Sequence, residues 1–247
     1  MKNEETILSE REKILGRIRE ALKVEAHAPG AHGDESGSRR RESAHTDFNL
    51  RGLTSAATGA KKWLPKVGET FDEQLALFAK NANELKADFQ LFKSADEARQ
   101  AIVILRDKEK WQSVAGHSGE LTNAICPALN LPLLRTDRAY DVHALEACDA
   151  GISECDALIA QTGTVLVTNR SAGGRALSVL PPHHVVLARR EQLVADLPAA
   201  FELLQQKYAA NYPSMISFIT GPSRTGDIER ILVLGAHGPK KLTILCF

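Results

Sequence analysis

The chemistry-bearing residues of this sequence gather in three short stretches, each beside an apolar run. The first is TGPSRTGDIE, residues 220–229. Gly221 and Pro222 set a tight turn, and Ser223, Arg224 and Thr225 bring hydroxyls, a guanidinium and backbone amides. Such a group suits a carboxylate or phosphate, because a guanidinium grips two anionic oxygens at once. Asp227 and Glu229 compete with that use, since acids in the first turn of a short helix can occupy its amino end themselves. The alternative is a structural cap in which Arg224 pairs with an internal acid. The second stretch holds Thr162, Gly163 and Thr164 between apolar segments. Gly163 permits a left-handed turn or a close ligand approach, and a plain hairpin turn would use it equally well. The third is LPPHHVVLA, residues 180–188. His183 and His184 open a strand as neighbours, so extended backbone sends them to opposite faces. They are therefore poor joint ligands for one metal. His237, in GAHGP, follows another strand and can join the same rim.

Three Gly- or Pro-marked turns beside buried strands of a parallel sheet are expected to meet on one rim. The expectation is one ligand cleft at the carboxyl edge of the sheet. It is lined by Thr162, Gly163, Thr164, His183 or His184, Gly221, Ser223, Arg224, Thr225 and His237, with Arg224 as anion anchor. No catalytic residue is assigned. Glu154 and Asp156 could serve as acid or base, but lone carboxylates are usually solvated. Gly116-His117-Ser118-Gly119 resembles a nucleophile elbow except that Glu120 stands where the motif needs glycine, so it reads as a strand-to-helix turn. Neither a dinucleotide fingerprint nor a Walker loop occurs.

The elements that must position these groups follow from periodicity. Phe71, Leu75, Phe78, Ala82 and Leu85 mark an amphipathic helix. A strand is expected at 89–92, then a helix capped by Ser94 with Glu97 as capping-box partner. Strands are expected at 111–115 and 131–134, a hairpin or two adjacent strands at 157–160 and 164–168, and a strand at 184–188. A helix at 197–208 and strands at 215–220, 231–234 and 242–247 complete the pattern. Alternating helices and apolar strands predict an α/β fold with a mainly parallel sheet. Residues 1–24 read as an N-terminal helix carrying Ile7, Ile14, Ile18 and Leu22. Residues 25–60, rich in Gly, Ser, His and charge, read as a flexible linker, and residues 61–247 as the α/β domain.

Composition excludes several classes. Lys plus Arg and Asp plus Glu each total 31, so no basic excess marks a general nucleic-acid binder. Aromatics at 5% are too few for a base-stacking platform. No apolar run approaches the roughly 18 residues of a spanning helix, and the charged N-terminus lacks the apolar core of a secretory signal. A cytoplasmic location is expected. Cys126, Cys148, Cys155 and Cys246 form no CxxC pair, so buried single thiols are expected rather than a zinc or iron–sulfur site.

The order GISECDALIAQTGTVLV, then LSVLPPHHVVLA, then TGPSRTGDIERILVLGAHGPKKLTIL resembles the lactate utilisation protein C family, the LUD-domain proteins, over about residues 70–247. The resemblance implies an α/β sheet with helices on both faces, similar to the sugar-phosphate isomerase and CoA-transferase superfamily. It also implies a part in bacterial oxidation of L-lactate to pyruvate beside cysteine-rich, iron–sulfur oxidoreductase partners. This chain would then hold no cofactor and would bind a small anionic metabolite or the partner. CoA-transferases use a glutamate nucleophile, but Glu154 is not embedded in their motif, so that role is not carried over. Two other readings stay open: a free-standing transferase- or isomerase-like enzyme on a small carboxylate or phosphate ester, and a non-catalytic ligand sensor or scaffold.

Overall fold

Six parallel strands in the order β1-β12-β7-β4-β2-β3 form the main sheet of this protein. They are β1 (Asp88–Leu91), β2 (Val114–Gly116), β3 (Leu133–Arg135), β4 (Ala150–Glu154), β7 (His183–Ala188) and β12 (Lys241–Cys246). The computed structural model describes residues 65–137, 139–225, 233–235 and 237–247. The expected N-terminal helix, the 25–60 linker and the expected short helix at Asp227 and Glu229 lie outside the described residues.

All six residues of β7 and five of six in β12 are buried. Such unbroken burial is the mark of a parallel sheet covered on both faces. One face carries Val114, Ile152, Val185, Leu187 and Leu245. On it pack α2 (Ala95–Glu109), through Ala98, Ile102 and Leu105, and α3 (Glu120–Ile125), through Leu121 and Ile125. The other face carries Val186, Ala188, Ile244 and Cys246, covered by Phe78 and Ala82 of α1 (Phe71–Glu84). On that side Ala115 meets Leu145 of α4 (Val142–Glu146).

Local chemistry sets the helix ends. Thr70 and Glu73 make a reciprocal capping box at α1. Ser94 caps α2 by accepting from the Glu97 amide at 3.3 Å. Glu97 does not complete the expected box, because its carboxylate accepts instead from the Lys93 amide at 2.9 Å. The strand expected at 111–115 starts later, at Val114, since Trp111 turns inward against the His183 ring with centroids 5.3 Å apart.

A second, four-stranded sheet has the order β8-β5-β6-β9, from β5 (Ala157–Ile159), β6 (Thr164–Thr168), β8 (Leu193–Val194) and β9 (Ile216–Ile219). β5 and β6 are the expected hairpin, antiparallel with Leu158 opposite Val165. Helix α5 (Leu197–Tyr208) covers this sheet through Ala200, Leu204 and Tyr208. A two-stranded ribbon, β10 (Arg224–Thr225) with β11 (Val233–Leu234), lies between β9 and β12 in the chain.

The order of the main sheet contains one reversal. The chain runs from β2 through α3 outward to β3, then returns through α4 to β4 on the other side of β2. The crossovers α3 and α4 cover opposite faces. The carboxyl ends of β2 and β4 therefore flank a crevice of the kind in which open α/β sheets hold ligands.

Candidate functional site

Glu154 closes β4 at that crevice, and His117 follows directly on β2. The Glu154 Oε1 accepts from the Leu121 amide at 2.9 Å and the Thr122 amide at 3.1 Å. The Thr122 hydroxyl stands 3.3 Å from it but donates its proton to the His117 carbonyl at 2.9 Å. Its Oε2 accepts from none of the described residues. One oxygen is thus fixed by two backbone amides while the other is left for a further partner. The side chain is held in one pose, and Glu154 is only partly buried.

His117 is buried and its Nε2 accepts from the Glu154 amide at 3.3 Å, which puts the ring proton on Nδ1. Burial pushes its pKa below the usual histidine value, with the Glu154 charge pulling the other way. It is neutral at pH 7 and clamps the Glu154 backbone. The Arg135 Nη1 donates to the His117 carbonyl at 2.5 Å, and Asp137 accepts from the Ser118 amide at 3.0 Å. Arg189, just after β7, pairs with Glu120 at 2.5 Å. That bond raises its pKa, with Glu154 adding to the effect. Two glycines let the parts close. A Cβ on Gly119 would overlap the Glu154 carboxylate, and one on Gly173 (φ +62°) would overlap the His117 side chain. The crevice thus offers an oriented carboxylate, able to accept a proton or a hydroxyl hydrogen bond.

The sequence-derived site lies elsewhere. His184, Gly221, Ser223 and His237 do meet around one cleft of about 180 Å³, also lined by Ser178, Thr220 and Leu242. His184 and Leu242 are the second residues of β7 and β12. The cleft therefore sits at the amino edge of the main sheet, not the expected carboxyl edge, because the segments at His184 and His237 lead into β7 and β12, while the Gly221 turn leaves β9 of the second sheet.

Thr164 stands one step behind the cleft, its hydroxyl 2.9 Å from that of Thr220. Gly163 (φ +62°) instead docks its turn on α1, where a Cβ would meet the Asn81–Ala82 backbone. The Thr162 hydroxyl is buried without a hydrogen-bond partner among the described residues. His183 leaves for the other face, where its Nε2 is 2.9 Å from the Thr243 hydroxyl, while His184 Nε2 is 2.9 Å from the Ser153 hydroxyl. Arg224 and Thr225 form β10, and Arg224 is exposed beside Gly221.

Glu154 and His117 are the residues that reading turns alone passed over. Each stands at the end of a short parallel strand, Ala150–Glu154 or Val114–Gly116, whose pairing the sequence pattern alone does not reveal. The four cysteines are free and buried. Burial raises the Cys126 and Cys246 thiols to about 11 and the Cys155 thiol well above its usual value. Among the described residues no group of three or more His, Cys, Asp or Glu could hold a metal, and no helix is long and apolar enough to cross a membrane.

The LUD domain family model matches residues 75–246. The chain belongs to the LUD domain family. Its LUD domain thus contains both the crevice at Glu154 and the amino-edge cleft. Among curated proteins it is similar to "Lactate utilization protein C 1" of Bacillus mycoides, 36% identical over 105 residues, which is 42% of this chain and 45% of that protein. It is 37% identical over 105 residues to "Lactate utilization protein C" of Anoxybacillus flavithermus, covering 42% and 46% of the two chains. The protein of that name from Bacillus subtilis is 33% identical over 103 residues, covering 41% and 43%. The matches span less than half the length of these relatives. Among solved structures, a crystal structure of a DUF162 family protein from Deinococcus radiodurans superposes with a TM-score of 0.57 at 22% identity, over 72% of this chain and 99% of that one. That likeness concerns the α/β fold.

Proposed function

We propose that this protein acts in bacterial L-lactate utilisation as the non-redox component of a lactate-oxidising assembly, beside cysteine-rich, iron–sulfur oxidoreductase partners. The support is its LUD domain together with relatives named lactate utilization protein C. Oxidation of lactate to pyruvate releases two electrons and two protons. The four cysteines here stand singly, buried and protonated, so the electrons are assigned to a partner's redox centre. The substrate-facing group is Glu154, whose fixed carboxylate can accept the proton of a 2-hydroxyl. The observation that carries this part is the two-amide clamp on one oxygen of Glu154 at the reversal of the sheet. Such preorganisation orients a catalytic carboxylate without further ordering.

The same clamp favours a second reading, a free-standing transferase- or isomerase-like enzyme on a small carboxylate or phosphate ester. One experiment separates them. The tagged chain is recovered from bacteria grown on L-lactate, and lactate-dependent dye reduction is measured with and without co-purifying proteins. Activity that requires a cysteine-rich partner and falls with Glu154→Gln is expected. Absence of such a partner, or turnover of an ester by the isolated chain, overturns the assembly reading.

A further inference from the structure

The amino-edge cleft lies across the sheet from Glu154 and is not used by the reading above. Its rim is tied by backbone bonds between three segments. The Ser223 amide donates to the Pro239 carbonyl at 2.9 Å, the Gly235 amide to the Ser223 carbonyl at 3.0 Å, and the Lys240 amide to the Pro182 carbonyl at 2.8 Å. Gly221, at φ +83°, is fitted so closely that a Cβ would press on the Leu85 carbonyl, and that Cβ would stand 3.3 Å from the Arg224 guanidinium. The exposed Arg224 guanidinium thus lies next to Gly221, one of the residues lining the cleft. In the wall, His184 is 1% exposed. Its Nε2 is engaged by Ser153, but its Nδ1 has no hydrogen-bond partner among the described residues. Buried polar atoms nearly always find partners. The cleft, a buried ring nitrogen without a partner among the described residues and a nearby guanidinium together support a ligand site.

We infer that this cleft binds a small organic carboxylate, with Arg224 on the carboxylate and His184 Nδ1 on a second polar atom of the ligand. The site is independent of the lactate reading. Burial holds His184 neutral, with its pKa lowered to about 3, so the ring contributes a hydrogen bond and not charge. If the Ser153 hydroxyl donates to Nε2, Nδ1 carries the proton and donates to a ligand oxygen. In the other tautomer Nδ1 accepts from a ligand hydroxyl. Thr220, Ser223 and Ser178 supply further hydroxyls around a space suited to a few heavy atoms.

The test uses the full chain labelled with 15N at histidine. Acetate, L-lactate, pyruvate and inorganic phosphate are titrated in turn, while the His184 ring nitrogens are followed by NMR and heats by calorimetry. Saturable binding of L-lactate or pyruvate that shifts the His184 Nδ1 resonance is expected. Arg224→Ala should weaken it by about tenfold or more, the effect of one lost charged hydrogen bond, while Arg224→Lys restores part because lysine lacks the fork. Circular dichroism checks that the exposed Arg224 variants remain folded. Absence of saturable carboxylate binding, an unmoved His184 resonance at saturation, equal affinity in Arg224→Ala, or binding of phosphate alone would each overturn the proposal. A lost dye-reduction activity with intact cleft binding would instead count against the Glu154 reading.

Discussion

Asp156→Ala should cost this domain about 3 kcal/mol. Asp156 lies in the two-residue link between β4 and β5, two positions after Glu154, and its carboxylate is buried. The Oδ1 accepts from Lys207 Nζ and from the Tyr208 hydroxyl, each at 2.6 Å, and the Oδ2 accepts from the Ser171 hydroxyl at 2.6 Å. Burial alone would raise its pKa. The bonds from Lys207, Ser171 and Tyr208 outweigh that and hold it below 3.8. Removing one member of a buried ion pair costs roughly 3–5 kcal/mol. Lys207 is 49% exposed at its side chain and can rehydrate, which argues for the low end. Ser171 and Tyr208 also keep contacts to Thr168, so neither hydroxyl is stranded. Urea unfolding at pH 7 reads the change directly. The sign with pH is equally specific. A carboxyl whose folded pKa lies below its unfolded value stabilises fully above the latter, near 3.8, and loses that contribution as pH falls further. The gap between wild type and Asp156→Ala should therefore be constant from pH 7 to about 5 and narrow below pH 4. A loss under 1 kcal/mol, or a gap unchanged down to pH 3, would refute the claim that the charged network carries this link.

Glu154→Gln should leave stability within about 1 kcal/mol, because an amide oxygen can still accept from Leu121 and Thr122, yet lower lactate-dependent dye reduction by at least about tenfold; full retained activity in the reconstituted assembly would remove Glu154 from the chemistry. Gly173→Ala, at φ +62° against His117, combines a left-handed penalty of about 1–2 kcal/mol with overlap, so thermal unfolding should show a clear drop in Tm; an unchanged Tm would mean that the loop over His117 is not packed as described. His183 and His184, lowered to about 4 and about 3, stay neutral in the fold while the unfolded chain protonates. Each should cost about 1.4 kcal/mol of stability per pH unit as pH falls below 6.5. His184→Gln should flatten that limb in urea titrations from pH 7 to 5, and an equally steep limb in that variant would contradict the burial argument.

Much of the fold was legible because burial leaves period and capping signals in the chain. Phe71 through Leu85 show one apolar stripe, and α1 forms there with Thr70 as its cap. Residues 197–208 are both the expected and the observed helix. Apolar runs at 184–188 and 242–247 mark the central strands to within a residue of their ends. What escaped was whatever depends on neighbours far away in sequence. β4 reads AGISE, with glycine, serine and glutamate inside it, and earns its place only by pairing with β2 and β7. Helix α4 has five residues, too few to show a stripe, and is fixed by the Asp141 cap and Leu145.

The error over the edge of the sheet has a physical origin that bears on where function should be sought. A Gly- or Pro-marked turn looks the same whether it delivers the chain into a parallel strand or takes it out, since the turn's own dihedrals carry no memory of strand direction. His184 stands at the start of β7 and His237 shortly before β12; His117 and Glu154 stand where strands end. Only the order β3-β2-β4 places the last two side by side, and that order follows from α3 and α4 burying their apolar sides on opposite faces. The conspicuous motifs thus built a cleft whose rim is tied by backbone bonds. The inconspicuous pair, one histidine and one glutamate 37 positions apart, was set by topology at the crevice. A site formed by the reversal of a sheet has no local signature, because its parts become neighbours only when the helices choose their faces.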